Sequence, residues 1–400
     1  MPKKIQIALA LGDGSGPEMM TQAIRVIERS AKLDDIEIEW VPTPMGWNAY
    51  EEFGDTLPES SLETATKIGL LYFGGVGDPK LDNTIGKEHP EMKPEARCLL
   101  RIRKDWGLLL NFRPMIFNPK LANISNLRPE MIPKEGMQQH FIRYLLEDTY
   151  FGNSDILKVI NTMNKEKKEI AISIINQLGV VWEKKDVTGK ENRVTDFATY
   201  TRKNLELYFR NGFQYAEKMG LPVICIDKSN VSPRYVFWRK VFEKIHREEF
   251  SHIKTEKYYV DAANAMLFKN PASLHAVIFC GNEHGDILSD AAAEALGSMG
   301  LMCSSAVNPT NRRAMFESGA GTAPTLAGKD IVNPIGRILT GAMMLRHIGA
   351  TKGAAAIEKA VNLTLSEGFR TPDIASKETP EHLFIRTVQM TDAILDRMSV

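Results

Sequence analysis

Cysteine is scarce in this 400-residue chain, with only Cys98, Cys225, Cys280 and Cys303. None forms a Cys-x-x-Cys pair and three fall in apolar stretches, so they read as reduced core residues of a cytosolic protein, not a disulfide framework. A charge excess of either sign is also missing. Lys+Arg and Asp+Glu number 50 each, which removes the electrostatic case for a nucleic-acid or membrane-surface partner. No apolar run approaches the roughly 20 residues that a membrane-spanning helix needs. No signal peptide precedes the first strand-like segment, since Met1-Pro2-Lys3-Lys4 leads directly into it. The expected location is therefore cytoplasmic. Internal repeats and low-complexity tracts are absent as well.

What is present suits an ordinary globular enzyme. Hydrophobic residues make up 43% of the chain and charged residues 25%, enough for a substantial core, and the length is comfortable for two domains. Residues 5–11 are a short apolar run of strand character. Gly12-Asp13-Gly14-Ser15-Gly16-Pro17-Glu18 follows, with Ser15 and Glu18 at capping-box spacing. Met20, Ala23, Ile24, Ile27 and Ala31 then recur at helical intervals. Ile36-Glu37-Ile38-Glu39-Trp40-Val41 alternates like a strand, and the strand–turn–helix–strand order predicts an α/β fold. Apolar runs at 68–73, 221–226 and 276–280 each end in glycine or polar residues. Ligands gather beyond the carboxyl ends of strands in such sheets, which favours Asp227-Lys228 and Gly281-Asn282 for chemistry. Residues 153–193 differ. They carry Lys165-Glu166-Lys167-Lys168-Glu169 and Glu183-Lys184-Lys185-Asp186, the pattern of a solvated helical excursion, with a subunit-contact element as the alternative.

Four constellations invite a chemical reading. The glycines at 12–16, with Glu37 and Glu39 about 20 residues on, resemble a dinucleotide fingerprint, but Pro17 stands where close helix–strand packing wants the third glycine. Asp286 and Asp290 are four apart, so on a helix they share a face and can approach one hard cation such as Mg²⁺ or Mn²⁺. On spacing alone the pair reads first as helix-start acids matching the dipole and only then as a metal site, and His284 beside it reads as a packing residue before a ligand. Arg103, Arg113 and Arg143 offer guanidinium forks for carboxylates. The loop Gly319-Ala320-Gly321-Thr322-Ala323-Pro324-Thr325 is rich enough in glycine for backbone N–H groups to approach a phosphate, or is simply a surface loop.

Taken in order from Gly12 to Thr391-Asp392-Ala393, these segments resemble the isocitrate/isopropylmalate dehydrogenase family of β-decarboxylating enzymes, the isopropylmalate branch most closely. The resemblance implies a two-domain α/β fold with a mixed sheet and a dimerisation arm, distinct from the standard Rossmann fold. One domain would comprise 1–108 plus 297–400, the cofactor side. The other, 109–296, would hold substrate, metal and dimer contacts, with the arm around 144–200. It implies that Arg103, Arg113 and Arg143 clamp malate carboxylates, with Leu99 and Leu100 against the substrate's alkyl group. Tyr150 would protonate the enol product and Lys228 would help remove the hydroxyl proton. Asp261, Asp286 and Asp290 would hold Mg²⁺ or Mn²⁺, Lys228 and Asp261 reaching across from the partner of a homodimer. Glu317, Gly321, Thr322, Ala323, Pro324, Thr325 and Asn333 would bind the nicotinamide cofactor, NAD in preference to NADP.

The implied reaction is NAD(P)-dependent oxidative decarboxylation of a 3-substituted malate, foremost 3-isopropylmalate to 4-methyl-2-oxopentanoate in leucine biosynthesis. Isocitrate, homoisocitrate and tartrate are the alternatives within the family. Three features depart from the family pattern. Ala320 replaces a histidine, Thr325-Leu326 matches neither the NAD nor the NADP signature, and Leu146-Glu147-Asp148 echoes the isocitrate branch. The weakened cofactor loop motivates a second reading, a regulatory or binding subunit that keeps the fold and has lost turnover, and the N-terminal glycines a third, an ordinary Rossmann oxidoreductase using Gly12–Gly16.

Overall fold

A computed structural model describes residues 2–117, 119–178, 180 and 194–398. Its described strands are β1 (Lys3–Ala10), β2 (Ile36–Pro42), β3 (Leu70–Phe73), β4 (Leu110–Phe117), β5 (Met137–Tyr144), β6 (Val223–Asp227), β7 (Thr255–Tyr259), β8 (Ala276–Cys280), β9 (Ser305–Val307) and β10 (Ala314–Glu317). They form one mixed sheet in the order β2-β1-β3-β10-β9-β4-β5-β8-β6-β7. The strands of β2-β1-β3-β10 are parallel to one another, as are those of β5-β8-β6-β7. Antiparallel β9 and β4 join the two halves.

Residue choice explains the order. Every residue of β3, β6 and β8 is buried, as strands covered on both faces require. The outermost strands β2 and β7 carry alternating or exposed charges, Glu37 and Glu39 in one and Glu256 and Lys257 in the other, which blunts the sheet edges. Of four apolar clusters, two draw chiefly on the ends of the chain and two on its middle. The sheet runs through all of them, so the halves differ in core and not in sheet. Among the described residues, no helix is long and apolar enough to cross a membrane.

The helix Gly16–Ala31 forms as its periodicity demands, with Pro17 in its first turn and Met20, Ala23 and Ile27 buried. The capping box expected of Ser15 and Glu18 does not form. Ser15 Oγ donates instead to the carbonyl of Thr322 at 2.9 Å, and Glu18 Oε2 accepts from the Gly328 N–H at 2.9 Å. A tertiary contact with the 319–328 loop has displaced the local one.

The charged excursion leaves β5 and returns at one narrow neck, where the Asp148 N–H donates to the carbonyl of Thr199 (3.0 Å) and the Phe197 N–H to Asn153 Oδ1 (2.7 Å). Beyond it stand the helices Gly152–Asn161 and Lys165–Gln177. Lys165–Gln177 buries none of its residues and exposes Ile170 and Ile174 on one side. The Glu183–Asp186 charges lie outside the described residues.

One buried residue of β5 makes stability sensitive to pH. His140 is 3% exposed, with Nδ1 2.8 Å from Tyr215 Oη and Nε2 3.0 Å from Gln138 Oε1. Burial, aided by nearby His275, pulls its pKa down to about 4. The unfolded chain takes up this proton below its ordinary value of about 6.5. This contribution to stability is therefore complete above the unfolded value and is lost as pH falls toward the folded one, about 3 kcal/mol in all. Urea unfolding of wild type and His140→Gln reads it. The stability gap between them should narrow by about 3 kcal/mol from pH 7 to pH 4, whereas a constant gap contradicts the assignment.

Candidate active site

The three arginines converge because strand register and a helix bring them together. Asn111 of β4 pairs with Arg143 of β5, and Arg113 lies two residues along β4, so all three share one face of the sheet. Arg103 comes from the short helix Arg101–Asp105, which continues the π-helical turn Glu95–Leu100. Local widening of this kind is common at functional sites.

Each guanidinium is held. Arg103 pairs with Glu317 at the end of β10. Arg113 Nε donates to Asn111 Oδ1 (2.9 Å) and Nη1 to Ser289 Oγ (2.8 Å). Arg143 Nε donates to Asn282 Oδ1 (2.9 Å), while its Nη1 pairs with Asp286. Burial, together with the charges of Arg113 and Arg103, pulls the pKa of Arg143 down to about 10. Such a concentration of positive charge costs stability and marks a place built to receive anions.

Asp286 and Asp290 face this cluster from the helix Asn282–Leu296. Both carboxylates lie 3.0 Å from Arg113 Nη1, so one point already carries positive charge within reach of both. Burial raises the Asp290 carboxyl above the usual carboxylate range and Asp286 adds to this, while Arg113 and Arg143 oppose it. Hard oxygen donors so arranged fit Mg²⁺ or Mn²⁺. They supply two ligands; among the described residues of one chain no group of three candidate ligands forms.

Tyr150 Oη donates to Asp286 Oδ2 at 3.3 Å, and the Arg143 guanidinium sits 5.4 Å from its ring centre. Burial raises its hydroxyl above the ordinary tyrosine value, Arg143 opposes and Asp286 adds. The group therefore holds its proton at neutral pH and can donate it. The three arginines, Tyr150, Asp286 and Asp290, with Leu99, Leu100, Glu317, Gly321 and Thr322, line one cleft of about 260 Å³.

Lys228 and Asp261 are not brought there. They follow the adjacent strands β6 and β7 and pair with each other, Nζ to Oδ1 at 2.7 Å, on an open surface. The Lys228 hydrogen bond holds the Asp261 carboxyl below the usual range. His284 stacks on Tyr235 with ring centres 4.9 Å apart, a packing role.

A second, mostly apolar cavity of about 450 Å³ shares Ala320 and Gly321 with the cleft and reaches Ala323, Leu326 and Asn333. Asn333 Nδ2 donates to Asp373 Oδ2 at 3.0 Å, and Asp373 lines the same cavity. Pro324 and Thr325 line neither cavity. Asp373 escaped the sequence reading because it lies 40 residues from Asn333 in a segment with no motif.

The N-terminal glycine turn is a packed joint, not a cradle. Gly14 has φ +58, and a Cβ there would stand 2.3 Å from the carbonyl oxygen of Thr322. Asp13 accepts from the backbone N–H groups of Trp47, Asn48 and Gly77. The Glu147-Asp148 pair is likewise structural. Glu147 accepts from Tyr144, Thr201 and Asn204, and Asp148 from Tyr200 and the Asn282 N–H. Both carboxylates are buried and neither lines the cleft, so neither would touch a substrate bound there.

Residues 6–394 match the family model described as isocitrate/isopropylmalate dehydrogenase. The chain is 33% identical over 397 residues to a 3-isopropylmalate dehydrogenase of Aquifex aeolicus, covering 99% of this chain and 98% of that one. It is 34% identical over 391 residues to the enzyme of that name from Xanthomonas euvesicatoria, covering 98% of each. Among solved structures, isocitrate dehydrogenase from Methylococcus capsulatus superposes with a TM-score of 0.76 at 26% identity, covering 98% of this chain and 99% of that one. A β-decarboxylating dehydrogenase from Thermococcus kodakarensis gives 0.72 at 25% identity, covering 98% and 96%.

Proposed function

Because the chain belongs to the isocitrate/isopropylmalate dehydrogenase family, we propose that it converts 3-isopropylmalate to 4-methyl-2-oxopentanoate with NAD and a divalent cation. The observation that carries this is the cluster of Arg103, Arg113 and Arg143 facing Asp286 and Asp290 in one cleft. Three cations suit the two carboxylates of a malate, and two carboxylates suit a metal beside them.

The substrate's third substituent is read from the apolar part of the lining. Leu99 and Leu100 belong to it, and Glu95 lines the same cleft. Neither Arg97 nor Arg101, the nearby cations that a further carboxylate would need, lines the cleft. Arg97 makes a two-pronged pair with Asp55 (2.6 and 2.5 Å), and Arg101 reaches Asp105 at 3.3 Å. Placing a carboxylate against two leucines and a glutamate without a partner is costly, which favours an alkyl group.

The arginines bind and orient the malate carboxylates. Lys228, contributed by the partner subunit, takes the proton from the substrate hydroxyl at its Nζ. Tyr150 delivers a proton from Oη to the enol carbon after carbon dioxide has left. Asp286, Asp290 and the partner subunit's Asp261 would hold the divalent cation, which would supply Lewis-acid stabilisation, and the nicotinamide would supply the hydride acceptor. A homodimer with shared sites is supported by the placement of the Lys228–Asp261 pair outside its own chain's cleft, close in the chain to the exposed Val231 and Tyr259. NAD is preferred over NADP because Asp373 lines the apolar cavity, whose described lining contains no lysine or arginine to meet a 2′-phosphate.

An activity matrix tests the proposal. With Mn²⁺ present, 3-isopropylmalate and NAD should give the highest kcat/KM. Isocitrate should fall behind by about a hundredfold, the scale of one unpaired buried charge. Faster turnover of isocitrate, homoisocitrate or tartrate would overturn the substrate assignment, and faster turnover with NADP the cofactor assignment.

A further inference from the structure

Arg337 is a fully buried cation that pairs with no carboxylate among the described residues. It is 1% exposed in the helix Ile335–His347. Its Nη1 donates to the carbonyl of Phe73 at 2.8 Å, and Nη2 donates to those of Gly74 at 2.5 Å and Ala320 at 3.5 Å. Nε has no partner. The nearby carboxylate of Glu317 is taken by Arg103. A neutral side chain could tie two loops together without bringing in an uncompensated charge, so packing alone does not account for arginine here.

The carbonyls it holds decide where the neighbouring N–H groups point. In a trans peptide the C=O and the following N–H face opposite ways. Drawing the Gly74 and Ala320 carbonyls down toward Arg337 turns the N–H groups of Gly75 and Gly321 upward. Both glycines line the cleft, and no hydrogen bond among the described residues takes either N–H. Gly321 is also one of the two residues common to the cleft and the apolar cavity. A ligand spanning both cavities must cross there. A dinucleotide carries its anionic diphosphate in its middle, at that crossing.

We propose that Arg337 is a positioning residue for the dinucleotide's diphosphate, aiming the Gly75 and Gly321 N–H groups at it and supplying positive charge from below. This rests on reading the two cavities as the dinucleotide site. The test is titration calorimetry of wild type, Arg337→Met and Arg337→Lys with NAD, ADP and adenosine. In the Met variant the Kd for NAD and for ADP should rise at least about tenfold, the scale of one charge-assisted interaction. Adenosine should shift by less than about twofold, having no phosphate, and Lys should recover part of the loss. Should the Met variant fail to fold, the ADP-to-adenosine affinity ratio of Arg337→Lys against Arg337→Gln carries the same comparison. If all three ligands weaken equally, Arg337 merely packs the loop and the proposal falls. If wild type binds NAD and the variants bind it as well, the proposal falls while the cofactor reading stands. No binding of NAD or NADP by wild type overturns both.

Discussion

Asp286→Asn should lower kcat/KM by about a thousandfold and weaken Mn²⁺ binding in the presence of substrate by at least about tenfold, the scale of a lost charged metal ligand. Asp286 is the hub of the cleft. It meets Arg143, Arg113 and the Tyr150 hydroxyl, and it shares a helix face with Asp290. Removing its charge leaves two buried guanidinium groups with fewer counter-charges and would replace a charged carboxylate ligand of the cation by a neutral amide oxygen. It also removes a negative neighbour that helps to raise the Asp290 carboxyl, so Asp290 should ionise at lower pH in the variant. Manganese electron paramagnetic resonance reads binding separately from turnover. Unchanged Mn²⁺ affinity alongside lost activity would make Asp286 a partner of the arginines and not a metal ligand.

Mixing two inactive variants should restore activity. Lys228→Met and Tyr150→Phe are each expected to lower turnover by about a hundredfold or more, the usual scale for a proton-transfer group. If each site takes Tyr150 from one subunit and Lys228 from the other, a mixed dimer has one doubly altered site and one intact site. Random reassembly then yields about one-quarter of wild-type activity, since half the dimers are mixed. If both residues act within one chain, every site in every dimer keeps a defect and nothing returns. Tyr150→Phe alone should also release NADH faster than product, because the proton is delivered after oxidation. A loss confined to hydride transfer would contradict that role.

How much of this was legible in the chain varied with the distance over which the physics acts. The Asp286–Asp290 face was readable because 3.6 residues per turn fixes it locally. The buried strands were readable from short apolar runs at 221–226 and 276–280. The arginine cluster was accessible only through the family likeness, because β4–β5 register, and no spacing rule, brings Arg113 beside Arg143. Ser15 and Glu18 misled for the converse reason: a sound local pattern lost to contacts with a loop some 300 residues away. Glu147 and Asp148 looked like a substrate signature and are buried anchors of the excursion's neck. Arg337 and Asp373 gave no signal at all. A buried arginine in a largely apolar helix reveals its meaning only when the carbonyls of two remote loops are seen to converge on it.

The reversal of strand direction across β9 and β4 gives the cleft a mechanical character. Arg103 and Glu317 ride on one parallel half of the sheet, whereas Arg143 and Asp286 ride on the other. A small molecule gripped by both sets is a strut across a twisting seam. Its length is therefore gauged between groups carried by the two halves of the sheet, not within one of them.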